Sequence, residues 1–241
     1  MSPDTMFGAM EIKELTDGLL KLSEDLGADL FGIAPAEGFL DDSYRGGRPQ
    51  AIMSDCRAVV VVGVALLQGS IEPLPQGRGE YTNSLLAATV RLRQISFDLG
   101  RWLERRGHQA TIEPAEGSEF GYWYADRETL RGGISLRYAA YLAGLGQYGL
   151  SQNLITDQYG PRVRFMGIIT DADLGPTDRE RSLLSEKCKD CRRCVEACPV
   201  GALSASGEID RHRCKEYMFG ELGGLRCGMC LKACPVKRPL G

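Results

Sequence analysis

The stretch CKDCRRCVEACP sets Cys188, Cys191, Cys194 and Cys198 at C-x2-C-x2-C-x3-C, with Pro199 directly after. Three thiols two residues apart let one loop wrap three corners of an iron–sulfur cubane. The fourth points away and ligates a different cluster in chains that carry two. That geometry demands a second set. RCGMCLKACPVK supplies Cys227, Cys230 and Cys234, spaced x2 and x3 and again followed by proline, while Cys214 stands alone upstream in DRHRCKEYMF. Crossing the arms gives Cys188, Cys191, Cys194 and Cys234 to a first [4Fe–4S] cluster, and Cys198, Cys214, Cys227 and Cys230 to a second. Two plainer readings compete. Disulfides belong to secreted chains, and no secretory signal precedes this metal-like spacing. Zinc also takes C-x2-C, but it accounts neither for the third cysteine at x2 nor for the proline on both arms. The ninth cysteine, Cys56 in MSDCRAVVVV, reads as a packed core or edge residue.

These thiols need a scaffold. The chain has 241 residues, so residues 1–180 suffice for a domain with its own core, ahead of a cluster domain at 181–241. Hydrophobic content of 43 % and charged content of 25 % are ordinary for a globular protein. The net charge is −3, whereas proteins that grip nucleic-acid phosphates carry a basic surplus. DNA is therefore not an expected partner. The longest apolar run, AVVVVGVALL, is too short to cross a bilayer, and MSPDTMFGAMEIKEL has neither a basic n-region nor twin arginines. Thiolate clusters want reducing surroundings, so the cytoplasm is the expected compartment.

Ile12, Leu15, Leu19, Leu22 and Leu26 fall at helical spacing over residues 11–26, and Gly27 ends that helix. ADLFGIAPA reads as a strand, residues 38–57 as a loop, and AVVVVGVAL (58–66) as a buried strand. A second loop precedes a long helix over 82–106, capped at Thr82 or Asn83 and stopped by Gly107. A short strand in HQATIEPA, a helix over 133–143 and a strand over 162–174 follow, and GPTDRERSLLSEK is the expected linker. Interleaved helices and strands indicate a layered α/β or α+β domain. GLGQYG, residues 144–149, matches GxGxxG, but a helix precedes it where a dinucleotide fold needs a strand. The better reading is a helix stop and a tight loop whose small residues let a flat ligand or a cluster come close.

From ISLRYAAYLAGLGQYGLSQNLITDQYGPRVRFMGIITDADL through both cysteine arms, the chain resembles the epoxyqueuosine reductase and reductive dehalogenase superfamily. The shared marks are the AGLG loop with the following Gly149 and Asn153, the turn at Tyr159-Gly160, a strand ending in Thr170-Asp171, and an isolated cysteine in the Arg-Cys-x-x-Tyr setting of Cys214. The resemblance covers roughly residues 10–238 and is most specific in the C-terminal half. It implies an α+β fold: a nitroreductase-like α/β sandwich core holding a cobalamin, followed by a bacterial two-[4Fe–4S] ferredoxin-like domain that feeds electrons to the cobalt. Ala143, Gly144, Leu145, Gly146, Gly149, Asn153 and Tyr159 are then the expected corrinoid contacts. A strongly reducing Co(I) needs a low-potential donor, and cluster potentials reach about −700 mV. Of the two histidines, His108 and His212, neither stands in the setting of a lower cobalt ligand, and both read as solvent-facing.

The resemblance also has departures. The catalytic aspartate of epoxyqueuosine reductases sits in an Asp-Thr/Ser-Gly/Ala-Pro motif, and its place here is taken by Leu130 in ETLRGGISL. Glu128 or Asp126 would have to substitute. The chain stops at VKRPLG without the helical-repeat extension of longer epoxyqueuosine reductases, which with the acidic balance points away from tRNA. EGSEFGYWYAD gathers Tyr122, Trp123 and Tyr124, either a core-lining strand or an aromatic wall and proton donor over a cofactor. Arg162 and Arg164 are either surface charges or holders of propionamide or phosphate groups. Four functions stay open: delivery of electrons to a corrinoid or corrinoid protein, cobalt-based reduction of an epoxide or carbon–halogen bond, pure electron carriage, and the same core with FMN. A ferredoxin or flavodoxin is the expected donor.

Overall fold

The structure, a computed structural model, describes residues 3–116, 118–119, 122–177 and 182–236. The N-terminal periodicity becomes α1 (Pro3–Asp25), which starts well before residue 11. Gly27 ends it by turning to φ +79°, with its N–H donating to Glu24 O and Ala28 N–H to Ser23 O, so carbonyls of the last turn find donors. β1 (Leu30–Pro35) and β2 (Ala58–Ala65) follow, paired antiparallel with Leu30 opposite Gly63 and Pro35 opposite Ala58. Val59, Val60, Val61 and Val62 are wholly buried. Each such valine contributes about 1.5–3 kcal/mol.

A short α2 (Gln68–Ile71) occupies part of the expected second loop. α3 (Arg78–Glu104) starts one turn early. Thr82 is therefore inside the helix rather than at its cap, and its Oγ1 donates to Arg78 O at 2.7 Å. Leu85, Leu92, Ile95, Leu99 and Leu103 make its buried stripe. Next come β3 (Ala110–Glu113), the minimal hairpin β4 (Ser118–Glu119) and β5 (Tyr122–Trp123), and α4 (Leu136–Leu142). α4 starts later than residue 133 because Ser135 caps it, accepting from Tyr138 N at 3.3 Å. Gly144 at φ +70° stops it as expected. The hairpin of β6 (Gln147–Tyr148) and β7 (Leu154–Ile155) precedes β8 (Val163–Thr170). The main sheet runs β1-β2-β8-β3, with Ala110 opposite Thr170 and Glu113 opposite Gly167.

The cysteine arms carry only short pieces: α5 (Arg193–Glu196), α6 (Arg211–Glu216) running into a π turn at Tyr217–Glu221, and α7 (Met229–Lys232). Among the described residues no helix is long and apolar enough to cross a membrane.

The chain forms two compact units, each discontinuous. One comprises Met1–Val64, Arg91–Leu145 and Phe165–Glu180; the other comprises Ala65–Val90, Gly146–Arg164 and Arg181–Gly241. Positions 178–181 of the expected linker lie outside the described residues. Segments 65–90 and 146–164, expected in the N-terminal domain, group with the cysteine arms. The reason is packing inside that unit: Gly149 backs onto Cys188, Gly160 onto Val236, and Gly228 onto Leu74 and Tyr81. The linker's described ends are tied down. Thr177 accepts from Ile33 N at 2.7 Å and donates to Ala143 O at 3.1 Å, while Tyr148 exchanges backbone bonds with Leu183 and Ser185.

In the first unit the sheet meets the end of α4 at Gly32, where an added Cβ would lie 2.9 Å from Ala143 O and 3.0 Å from Leu145 Cδ2. Gly32→Val is expected to cost about 1–3 kcal/mol by overpacking, read as a lower urea midpoint in anaerobic protein. Gly79, in the first turn of α3 with nothing within 4 Å of its added Cβ, is the control: Gly79→Ala is expected to leave stability unchanged or slightly raised.

Candidate iron–sulfur centre

All nine cysteines are free thiols, with Cys56, Cys188 and Cys234 buried and the other six half-buried. Among the described residues no three His, Cys, Asp or Glu side chains gather tightly enough for one metal ion, so their grouping is read from the neighbours each thiol feels. Cys194 is pushed up first by burial and then by the charges of Cys188, Cys234 and Cys191. Cys234 is raised by burial and by Cys188 and Cys191, while the Val236 N–H and the Arg162 guanidinium pull the other way. A cysteine of the second arm thus keeps company with three of the first. Cys230 is pushed up to about 12, chiefly by burial, then by Cys227 and Cys214, against a side-chain hydrogen bond from Asn153. Cys198 Sγ accepts from Ala202 N at 3.2 Å. Free, crowded and partly dry, these thiols suit ligation by a cationic iron cluster, whose binding releases their protons. Cys56, as expected, is a core thiol; burial lifts it to about 11.

Glycines pack closely in the segments around these sulfurs. An added Cβ at Gly149 would meet Ile155 at 3.0 Å and Cys188 Sγ at 3.4 Å. Gly228, between Cys227 and Cys230, sits at φ +67° as the N-cap of α7; its added Cβ would lie 2.6 Å from Leu74 Cδ1. Gly146, expected to bare backbone for a ligand, faces protein instead: its added Cβ would stand 2.5 Å from Ile155 O. Ala143 is 1 % exposed and packs on Gly32, Gly144 is buried, and Leu145 and Tyr159 are half-buried. Tyr159 N donates to Thr156 Oγ1 at 3.0 Å in the turn that closes at Gly160. Asn153 Nδ2 points at Cys230 Sγ, 3.6 Å away.

The remaining expected residues fall mostly outside the cysteine arms. Tyr122 is 68 % and Tyr124 41 % exposed, with ring centroids 6.4 Å apart, so this hairpin does not line a core. Gly117, Phe120 and Gly121 of the same stretch lie outside the described residues. Glu128 is exposed. Asp126 caps the turn beside it: its Oδ1 accepts from Thr129 Oγ1 and Thr129 N, both at 2.7 Å, and these bonds hold its carboxyl below the usual range. Leu130 closes that turn at φ +54°, a left-handed conformation uncommon for a bulky residue. His212 is exposed, but His108 is half-buried with Nδ1 3.7 Å from Asp171 Oδ1. The Thr170-Asp171 pair stitches β8 to the start of β3: Thr170 Oγ1 donates to Gln109 O at 2.7 Å and Asp171 accepts from Gln109 N at 2.9 Å. Arg162 is only 3 % exposed and is a buried charge near Cys234, not a surface one.

One acid escaped the sequence reading. Glu113, 5 % exposed, accepts from Ile134 N at 3.2 Å and from Gly133 N, while burial raises its carboxyl above 4.5. Added Cβ atoms on Gly132 and Gly133 would meet its oxygens at 3.0 and 2.8 Å. The Gly-Gly pair was the available signal.

Residues 187–238 match the 4Fe-4S dicluster domain family. The chain is 27 % identical over 207 residues to the tetrachloroethene reductive dehalogenase of Sulfurospirillum multivorans, covering 78 % of this chain and 37 % of that one. It is 24 % identical over 269 residues to the epoxyqueuosine reductase of Lactococcus garvieae, covering 94 % and 71 %. A solved reductive dehalogenase, described for B12-dependent dehalogenation, superposes with TM-score 0.73 at 22 % identity over 92 % of this chain and 31 % of its own. The chain is thus similar to epoxyqueuosine reductases and reductive dehalogenases, and its residues 187–238 match a 4Fe-4S dicluster domain. It spans well under half the length of the dehalogenase relative.

Glu113→Ala strands the buried Ile134 N–H and is expected to cost about 1–3 kcal/mol. Glu113→Gln tests the charge. Because the folded carboxyl binds its proton more tightly than the unfolded one, its contribution is present below pH 4.5 and lost as pH rises through the raised folded value. The glutamine amide has no such dependence, so the stability difference is expected to drift toward the E113Q variant over that window and then level off, checked by anaerobic urea titrations across pH.

Proposed function

We propose that this chain is an iron–sulfur oxidoreductase that passes low-potential electrons through two [4Fe–4S] clusters to a corrinoid. Cys188, Cys191, Cys194 and Cys234 hold one cluster, and Cys198, Cys214, Cys227 and Cys230 the other. The observation that carries the reading is the company kept by Cys234, which packs in one buried cluster with Cys188, with Cys194 against it. The dicluster match over 187–238 supports it. Bound clusters supply one-electron chemistry; the chain's part is to fix the sulfurs, donate hydrogen bonds to them and limit water around them.

The corrinoid half rests on the relatives. The dehalogenase with TM-score 0.73 is described as B12-dependent, and the sheet-bearing unit is read as the nitroreductase-like core that holds the cofactor. Gly146 and Gly149 offer the macrocycle no cradle, since their α-carbons face Ile155. Cobalamin reduction or reactivation is preferred over turnover of an organic substrate because Leu130 stands at the position expected for the aspartate of epoxyqueuosine reductases. FMN in the same core, or carriage without a corrinoid, are the competing readings. A ferredoxin or flavodoxin is the proposed donor, a corrinoid or corrinoid protein the acceptor, and the cytoplasm the setting; DNA, tRNA and membranes are outside the proposal.

Anaerobically purified protein is expected to hold about eight irons and eight sulfides. Two zinc ions and no iron would end the reading. Cys198→Ala is expected to damage the cluster of Cys230 more than that of Cys188, followed by electron paramagnetic resonance. Titration with cobalamin is expected to shift its spectrum toward a form lacking its lower base. No change at high micromolar cobalamin passes the proposal to the carrier reading, and a flavin absorption pair passes it to FMN.

A further inference from the structure

The turn after the glycine loop is built to present one amide. Gln152 takes φ +60°, a conformation that non-glycine residues keep only where the surroundings over-determine it. Its N–H donates to Gly149 O at 2.9 Å, Gly149 N donates to Asn153 O at 2.9 Å, and its side-chain amide is anchored on Gly207 O. Ser151, 7 % exposed, accepts from both Asn153 N at 3.4 Å and Asn153 Nδ2 at 3.2 Å. The remaining reach of Nδ2 goes to Cys230 Sγ at 3.6 Å.

We propose that Asn153 is a positioning residue of the cluster held by Cys230: its side-chain N–H donates to the Cys230 sulfur and raises that cluster's reduction potential. A cluster-bound sulfur carries no proton and only accepts, which fixes the amide's orientation with nitrogen toward sulfur. Reduction adds negative charge to the cluster and its sulfurs, so a fixed donor stabilises the reduced state more than the oxidised one. Hydrogen bonds to sulfur are one of the recognised determinants of cluster potential. This use of Asn153 replaces the corrinoid contact expected from the resemblance. It rests on Cys230 being a ligand and not on the corrinoid.

The test uses the anaerobic holoprotein. Asn153→Leu removes the donor, and Asn153→Asp sets a carboxylate against the sulfur. Iron content is expected to stay that of the wild type while one of the two potentials falls. For Leu the redox equilibrium constant is expected to move about tenfold, which is 59 mV for a one-electron couple, and further for Asp. Equal potentials in wild type and both variants overturn the proposal, and so does a shift confined to the other cluster. A measurement on the intact wild type keeps the test decisive if a variant loses iron. The chain has only two asparagines, Asn83 and Asn153. Protein grown with side-chain 15N-asparagine is expected to show a nitrogen coupling to one reduced cluster in pulsed electron paramagnetic resonance, and its absence overturns the proposal. Cys230→Ser separates the two layers: unchanged iron and unchanged signals there overturn the ligand assignment itself, independently of the hydrogen bond.

Discussion

Thiolates repel one another, and an iron–sulfur cluster asks for four of them around one centre in partly dry surroundings. That demand shapes the cysteine-bearing unit. Burial and the neighbouring Cys227 and Cys214 drive the Cys230 thiol up to about 12, so in the absence of a cation the sulfur keeps its proton. Iron supplies most of the compensating charge. The chain adds donors fixed in advance: Ala202 N on Cys198, Val236 N on Cys234 with the nearby Arg162 charge, and the Asn153 amide on Cys230. Arg162 and Asn153 lie outside the cysteine arms, and the segment that carries both, 146–164, folds with those arms.

The same demand accounts for the glycines. An added Cβ at Gly149 would crowd Ile155 at 3.0 Å beside the Cys188 sulfur, and the left-handed turn between Cys227 and Cys230 needs Gly228 at φ +67°. In the sheet-bearing unit a different close approach operates. Gly32 of β1 abuts the carbonyl of Ala143, and Thr177 bridges Ile33 and Ala143 with its hydroxyl. The end of α4 is thus locked to the sheet by backbone contacts, while Thr170 and Asp171 lock β3 to β8.

Period and punctuation were legible in the sequence. The wholly apolar AVVVVGVA had to be a buried strand, Gly27, Gly107 and Gly144 did end their helices, and the two cysteine arms declared their chemistry by spacing alone. Helix starts were less legible. Thr82 looked like a cap, but its hydroxyl is used inside the helix, toward Arg78 O, and as an acceptor for Arg226 N at 2.8 Å. Caps compete with tertiary partners that local sequence does not reveal. The same limit hid Glu113, whose role depends on two backbone N–H groups a strand and a loop away, and the bond from Asn153 to Cys230. A family mark locates a residue without saying which neighbour it serves.

The acids around Leu130 bear on the choice between electron delivery and substrate reduction. Asp126 is spent on Thr129, where two hydrogen bonds hold its carboxyl down as a turn cap. Glu113 is spent on the N–H groups of Gly133 and Ile134, clamping the loop that follows. A general acid must present its proton to a reacting atom, and these two carboxyls present their oxygens to backbone donors. Cleaving an epoxide needs both electrons and a proton at the substrate, whereas lowering the oxidation state of a bound metal needs only the electron. Of the acids in and beside this turn, Asp126 and Glu113 hold shape and Glu128 stands exposed, which accords with the proposed reading, in which the chain delivers electrons.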